Sequence, residues 1–259
     1  LDTGDIYKGL YEGLYCSGCE AYFTEKDLVD GICPEHNKKP EWIKQECYFF
    51  GLSKYQEFVR SLLASDRFVL PASKRKEMLN RIDTDGLRDL CVSRYGKTWG
   101  IDVPGDKNHK IYVWMDALIN YVSALGYPAN KKFSTYWPAD VHLIGKGINW
   151  FHSVIWPALL HAAGIEAPTT VLVHGYLTVE GKKMSKSVGT AIDPQVFLKK
   201  YGVDAVRYYL LREIPFGEDG DFSEKSRVAR LNNELANDLG NLASRTFTMG
   251  EKYCGGKIP

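Results

Sequence analysis

Three short runs of β-branched and aromatic residues constrain this chain more than anything else in it. Lys110–Met115 (Lys-Ile-Tyr-Val-Trp-Met), Val141–Lys146 (Val-His-Leu-Ile-Gly-Lys) and Thr169–His174 (Thr-Thr-Val-Leu-Val-His) each read as a buried strand. Between them, apolar residues recur at helical spacing from Asp116 through Tyr121 to Leu125, and again from about Ile148 to His161. Parallel strands need a crossover, and a helix is the usual one, so the alternation predicts an α/β domain built on a parallel sheet. A further helical pattern covers residues 53–64, with Ser53 placed to cap it. Beyond Asp193-Pro194 the pattern is helical throughout. Helices are expected over 196–200 and 204–212, separated by Gly202, and over 224–250, where Leu231, Leu235, Leu239 and Leu242 mark one stripe. No internal repeat is present, and 259 residues suffice for one large domain or two smaller ones.

The net charge of +1 rules out a protein-wide positive field, so any RNA contact has to come from local basic clusters. No run approaches the roughly 18 apolar residues of a membrane span. Leu1-Asp2-Thr3-Gly4-Asp5 lacks the basic start and apolar core of a secretory signal. The expectation is a cytoplasmic protein with no membrane partner.

The six cysteines are unevenly placed. Cys16-Ser17-Gly18-Cys19 and Cys33-Pro34-Glu35-His36 form a CxxC and CxxH pair with thirteen residues between the halves. Two close pairs at turns can surround one tetrahedral zinc with three thiolates and an imidazole. All four positions are protein ligands, which makes the expected Zn2+ structural. It would staple a segment too poor in large apolar residues to fold alone, in a reducing compartment.

After the third run comes Gly181-Lys182-Lys183-Met184-Ser185-Lys186-Ser187-Val188-Gly189. Lysines among glycine and serine suit a mobile clamp on phosphates, although composition alone fits a solvated basic turn at least as well. The exact string decides. Lys183-Met184-Ser185-Lys186-Ser187 resembles the KMSKS signature of class I aminoacyl-tRNA synthetases. Val173-His174-Gly175-Tyr176, Tyr112-Val113-Trp114-Met115-Asp116-Ala117, Ile144-Gly145-Lys146 and Phe151-His152-Ser153-Val154-Ile155-Trp156-Pro157-Ala158 are similar to its methionyl branch, in the right order.

That resemblance implies the second half of a Rossmann-type parallel sheet carrying a zinc-knuckle insertion, followed by an α-helical region. It implies an insertion with the knuckle over residues 1–110, the second half of the nucleotide-binding domain over 111–175, a KMSKS and stem-contact domain over 176–237, and the start of an anticodon-binding bundle over 238–259. The implied activity is a methionine–tRNA ligase, activating methionine with ATP (carried with Mg2+) and transferring it to tRNA(Met). Lys183 and Lys186 would stabilise the departing pyrophosphate, with Arg94 a further catalytic candidate. ATP would lie against Gly145, Val173, His174, Gly175, Lys183, Met184, Ser185 and Lys186. Trp114, Ala117, Leu118, Tyr121, Ile148 and His152 would form the methionine pocket, Ile148 and His152 sharing a helix face at i,i+4 spacing. Aromatic edges there suit a thioether. Asn241 and Arg245, one helical turn apart, would read anticodon bases.

Two departures stand out. Leu118 replaces a proline of some family members, and Gly147 stands where the family usually has an aspartate that helps hold adenosine, so no ribose contact is assigned to it. None of the six histidines sits in a His-x-Gly-His string, the element that holds ATP phosphates in the family. The chain is therefore expected to work with a complementary N-terminal half. The competing reading from another class is a non-catalytic tRNA-binding or zinc module.

Overall fold

The residues before the expected zinc knuckle form one long strand of a sheet. In the computed structural model, which describes residues 1–18, 21–34, 37–179, 181–184 and 192–257, β1 (Ile6–Cys16) runs unbroken to the first cysteine of the expected knuckle. β2 (Ala21–Phe23) and β3 (Glu41–Phe50) flank it, both antiparallel, with β3 in register from Ile6↔Phe50 to Tyr15↔Glu41. The stretch 17–40 is thus the connection between two paired strands. Within it Cys33 lies in a tight turn, its carbonyl accepting from Asn37 N–H at 2.8 Å.

α1 (Gln56–Ala64) follows a 3-10 turn over Leu52–Tyr55 and buries Val59 and Leu63. Ser53 does not cap it; its hydroxyl donates to Asp89 at 2.6 Å, a carboxylate 36 residues away that outcompetes the local cap. Next come β4 (Val69–Leu70), α2 (Ala72–Asp85) and β5 (Leu90–Cys91), and the first sheet has the order β2-β1-β3-β5. β6 (Ser93–Tyr95), β7 (Asp102–Val103) and β8 (Asp106–Ile111) make a separate antiparallel sheet, order β6-β8-β7.

Here the expected strand Lys110–Met115 is corrected. β8 ends at Ile111, paired with Ser93, and α3 (Val113–Ser123) starts immediately after Tyr112. The strand preference of Val113 and Trp114 loses to burial of Met115, Leu118 and Val122 along a helix. The run also belongs to an antiparallel sheet, not to the one holding the other two runs. Those are β9 (Val141–Gly145), reached through α4 (Lys131–Tyr136), and β10 (Thr170–His174). They form a three-stranded sheet of order β4-β10-β9. Between β9 and β10 lie a 3-10 turn (Lys146–Ile148), a π-helical segment (Phe151–Ile155) and α5 (Trp156–Ala162).

After β11 (Leu177–Val179) and β12 (Lys182–Lys183) come α6 (Pro194–Tyr201), capped by Asp193, and α7 (Val203–Glu213), with Gly202 between them at φ +81. β13 (Gly220–Asp221) joins β11 in parallel, and the third sheet has order β12-β11-β13. The last helix runs from α8 (Glu224–Arg230) through a π-helical stretch (Leu231–Leu239) into α9 (Gly240–Cys254). The expected leucine stripe is not a core stripe. The π-helical stretch changes its phase, and Leu239 and Leu242 are 57% and 63% exposed.

The architecture is mixed α/β in two units, Leu1–His142 with Trp150–Val171, and Leu143–Asn149 with Leu172–Pro259. The first has Val59, Leu63, Leu118, Val154, Ile155 and Trp156 at its centre. The second packs Val173, Val206 and Tyr209 with the buried Arg227, whose guanidinium lies 4.3 Å from the Phe197 ring. Among the described residues no helix is long and apolar enough to cross a membrane.

Candidate functional site

In the first unit the misread run, as a helix, brings several of the expected pocket residues onto one face. Trp114, Ala117, Leu118 and Tyr121 stand at positions i, i+3, i+4 and i+7 of α3, one face. The Trp114 ring stacks on Phe151 at 4.6 Å, and Tyr121 Oη lies 2.9 Å from His152 Nε2. His152 is buried in the π-helical segment, while Ile148, which belongs to the second unit, ends a 3-10 turn. The two are in different helical types, so the α-helical i,i+4 argument for pairing them does not apply.

Around Tyr121 the aromatic lining extends to side chains that sequence reading passed over. The His142 ring lies tilted against it at 4.3 Å between centroids, and that of Trp156, also tilted, at 6.1 Å. His142 is buried, and neither ring nitrogen has a hydrogen-bond partner among the described residues. Burial, with the nearby His152 adding to it, pushes its pKa down to about 4, so it is neutral at physiological pH. Its place in the middle of a strand gave no sign of this.

Arg94 sits in β6, buried, with its guanidinium carbon 3.9 Å from the Tyr112 ring and 4.6 Å from Tyr22. Nη1 donates to the Ser93 carbonyl at 2.9 Å. It also lines a cavity of about 650 Å³ with Lys97, Trp99, Lys110, Val113 and Asp116. Of the expected zinc ligands, Cys16 and Cys33 are buried thiols, while Cys19 and His36 lie outside the described residues. Two buried soft donors on paired and turn-held backbone fit the chemistry of a structural zinc.

The second unit contains Gly145, Val173, His174 and Gly175. Gly145 ends β9 beside His174, whose Cε1 is 3.6 Å from where a side chain at 145 would begin. Val173 is fully buried in β10. At Gly175 a Cβ would lie 1.9 Å from the Glu218 carbonyl oxygen, so only glycine lets the two backbones approach. His174 Nδ1 pairs with the Gly175 carbonyl at 2.7 Å. Lys146 Nζ is ion-paired with Asp219 at 2.7 Å and stands 4.9 Å over the Tyr176 ring, and Tyr176 N–H donates to the same Asp219 carboxylate. That carboxylate raises the Lys146 pKa above the ordinary lysine value. At Gly147 a Cβ would lie 2.0 Å from Tyr176 Oη, so the phenol fills the space a side chain would need.

The basic loop begins as a hairpin, not as a free turn. β12 pairs antiparallel with β11, Thr178↔Lys183 and Val179↔Lys182. Asp221 Oδ1 fastens it, accepting from the Thr178 hydroxyl at 2.6 Å and from Gly181 N–H at 2.7 Å. These bonds hold the Asp221 carboxyl below its usual range, the hydroxyl contributing most. Met184 is half-buried; Ser185 and Lys186 lie outside the described residues. Asp221 is 40 residues from Gly181, a pairing that no local motif announces. Asn241 and Arg245 are exposed on α9, one turn apart.

Comparison with known proteins gives the same family at every level. The family model described as tRNA synthetases class I (M) matches residues 10–247. The methionine–tRNA ligase of Caldanaerobacter subterraneus subsp. tengcongensis is 53% identical over all of this chain and 41% of its own length. That of Thermotoga maritima is 49% identical, over 100% and 42%. A crystal structure of Mycobacterium tuberculosis methionyl-tRNA synthetase bound by methionyl-adenylate superposes with a TM-score of 0.82 at 43% identity, covering 100% of this chain and 52% of that one. The chain thus spans about two fifths of the length of the curated relatives it matches.

Proposed function

The chain belongs to the class I (M) tRNA synthetases, and on that premise we propose that it is the methionine- and ATP-handling portion of a methionine–tRNA ligase. Acting with the remaining length that its relatives possess, it would join methionine to ATP as methionyl-adenylate and pass the methionyl group to tRNA(Met). The observation that carries this reading is the Tyr121–His152 pair, 2.9 Å apart at the end of an aromatic face. An apolar slot with one polar corner suits a thioether side chain, whose sulfur is a weak acceptor and a good neighbour for ring edges.

The roles follow residue by residue. Trp114, Ala117, Leu118, Tyr121, Ile148 and His152 hold methionine. Gly145, Val173, His174 and Gly175 take the adenosine of ATP, the glycines admitting close backbone approach. Lys183, Met184, Ser185 and Lys186 attend the phosphates, and Mg2+ arrives with ATP as part of the substrate. A lysine placed where charge develops contributes about 2 to 4 kcal/mol to the transition state, with Lys186 the larger contributor. Arg94 is held too firmly between two tyrosines to swing, so it acts by fixed charge. Asn241 and Arg245, both exposed, contact anticodon bases. Cys16, Cys19, Cys33 and His36 hold a structural zinc that ties the β1–β3 connection together when bound. The division at residues 1–110, 111–175, 176–237 and 238–259 describes these tasks in order. The missing His-x-Gly-His element is taken to come from the rest of the enzyme, in the cytoplasm, where such thiols stay reduced.

Methionine-dependent ATP–pyrophosphate exchange, run on the protein at the full length of its relatives, tests the reading. Exchange with methionine and none with leucine or isoleucine is expected. Binding of tRNA without any exchange would overturn it in favour of a non-catalytic RNA-binding module.

A further inference from the structure

Beside Arg94, β1, β2, β3 and β5 enclose two buried thiols. Cys47 on β3 is fully buried, and Cys91 on the two-residue strand β5 is 5% exposed. Phe49 is directly opposite Cys91 in the register, and Cys47, two residues along, shares that face of the sheet. The two thiols act on each other more than any other group does, raising the pKa of Cys47 and lowering that of Cys91. Around Cys91, the sulfur donates to the Ser93 carbonyl at 3.4 Å, Tyr22 Oη lies 3.6 Å from it, and Arg94 Nη1 approaches it to 3.8 Å.

We propose that Cys47 and Cys91 form a reversible redox pair that closes to a disulfide when the protein meets a hydroperoxide. The geometry supplies what that reaction needs. Cys91 is the nucleophile, because a hydrogen bond from Cys47, the Tyr22 hydroxyl and the Arg94 charge all favour its thiolate and lower its pKa to about 6. Cys47, held as a thiol by the same shared proton and by burial, is the resolving partner. β5 is a short edge strand of its sheet, the kind of element that opens locally at small cost and lets a small oxidant reach a buried sulfur.

The steps balance. The Cys91 thiolate attacks the terminal peroxide oxygen, an S–O bond forms as the O–O bond breaks, and the alkoxide or hydroxide released takes up a proton. Sulfur has then lost two electrons to the peroxide, leaving a sulfenic acid. The Cys47 sulfur attacks it, the S–S bond forms, and hydroxide departs and takes the Cys47 proton as water. Overall, two thiols and one hydroperoxide yield a disulfide, one alcohol or water, and one water. A dithiol reductant reverses the change by exchange.

Peptide mapping of the protein after brief hydrogen peroxide treatment, with free thiols then alkylated under denaturing conditions, tests this. Mapping matters because the cysteines of the proposed zinc site oxidise too. The peptides bearing Cys47 and Cys91 should be joined, two hydrogens lighter than the separate thiols, and separate again in dithiothreitol. The rate should fall about tenfold between pH 7 and pH 5 as the Cys91 thiolate is protonated. Cys47→Ser should let dimedone trap a sulfenic acid at Cys91. Alkylated Cys47 beside a Cys91 that is intact or carried on to sulfinic acid would overturn the proposal, and so would a pH-independent rate. The wild-type measurement decides alone should the variant fail to fold, and none of the readouts depends on ligase activity.

Discussion

Tyr121 Oη lies 2.9 Å from His152 Nε2, joining α3 to the π-helical segment across an aromatic slot. The hydrogen bond fixes a polar corner of a largely aromatic surface. Removing the hydroxyl with Tyr121→Phe leaves the ring in place and the histidine short of a partner, a loss of about 1 kcal/mol, or roughly fivefold. In pyrophosphate exchange the KM for methionine should rise by that factor with the KM for ATP unchanged. His152→Ala, which also opens a cavity, should cost more. Equal rises in both KM values would show that the pair does not serve the amino acid.

His142 makes the first unit sensitive to acid. An ordinary histidine titrates near 6.5, and this one near 4. Above pH 6.5 neither folded nor unfolded chain carries the charge, and the group leaves stability alone. Between 6.5 and 4 only the unfolded chain binds the proton, so stability falls as pH falls; below about 4 both states are charged and the loss stops growing. His142→Leu removes the titrating ring. Thermal midpoints of the two proteins should therefore keep a fixed spacing above pH 6.5, and the wild type should lose ground to the variant from there to pH 4. A spacing that stays constant throughout would show that His142 titrates normally.

The same region shows what the sequence could and could not carry. The resemblance grouped Trp114, Ala117, Leu118 and Tyr121, but the β-branched and aromatic character of 110–115 put Trp114 on a strand, because propensity is blind to the burial of Met115 and Leu118 that makes the segment a helix. β9 and β10 were legible as continuous apolar runs. β1 was not, since Gly, Lys and Glu interrupt its alternation and its partner β3 lies beyond the cysteine-rich connection. Contacts that reach far along the chain, Ser53 to Asp89 or Gly181 to Asp221, leave no mark at either end.

Gly147 and Tyr176 compete for one volume. A methyl group at 147 would sit 2.0 Å from the phenol oxygen, far inside contact distance, so Gly147→Ala must displace the ring. The ring is also held by Lys146, and its amide by Asp219, so the displacement costs about 1 to 3 kcal/mol, as overpacking generally does. Tyr176→Ala should absorb the cost. Urea unfolding of the two single variants and the double should give a coupling that returns most of the Gly147→Ala loss; additive losses would place the clash elsewhere.

Asp221 governs the lysine-bearing hairpin from outside it. One oxygen receives both the Thr178 hydroxyl and Gly181 N–H, and so sets where β12 leaves its turn. Asp221→Ala frees both donors and unpins the backbone turn of the β11–β12 hairpin, which carries Lys183 in sequence. Two bonds to a charged acceptor are at stake, so adenylation should slow by about tenfold or more, with the KM for methionine unchanged because both bonds run to the hairpin and not to the proposed methionine-pocket residues. Asp221→Asn keeps an oxygen for the two donors and should retain much of the rate. Acid should mimic the alanine variant only well below the usual carboxylate range, since the same two bonds hold the Asp221 proton off. Single-turnover adenylation rates of the three proteins distinguish this from a purely structural role: an Asp221→Ala protein that keeps the wild-type rate, while its thermal midpoint drops, would mean that the anchor steadies the fold and not the arm.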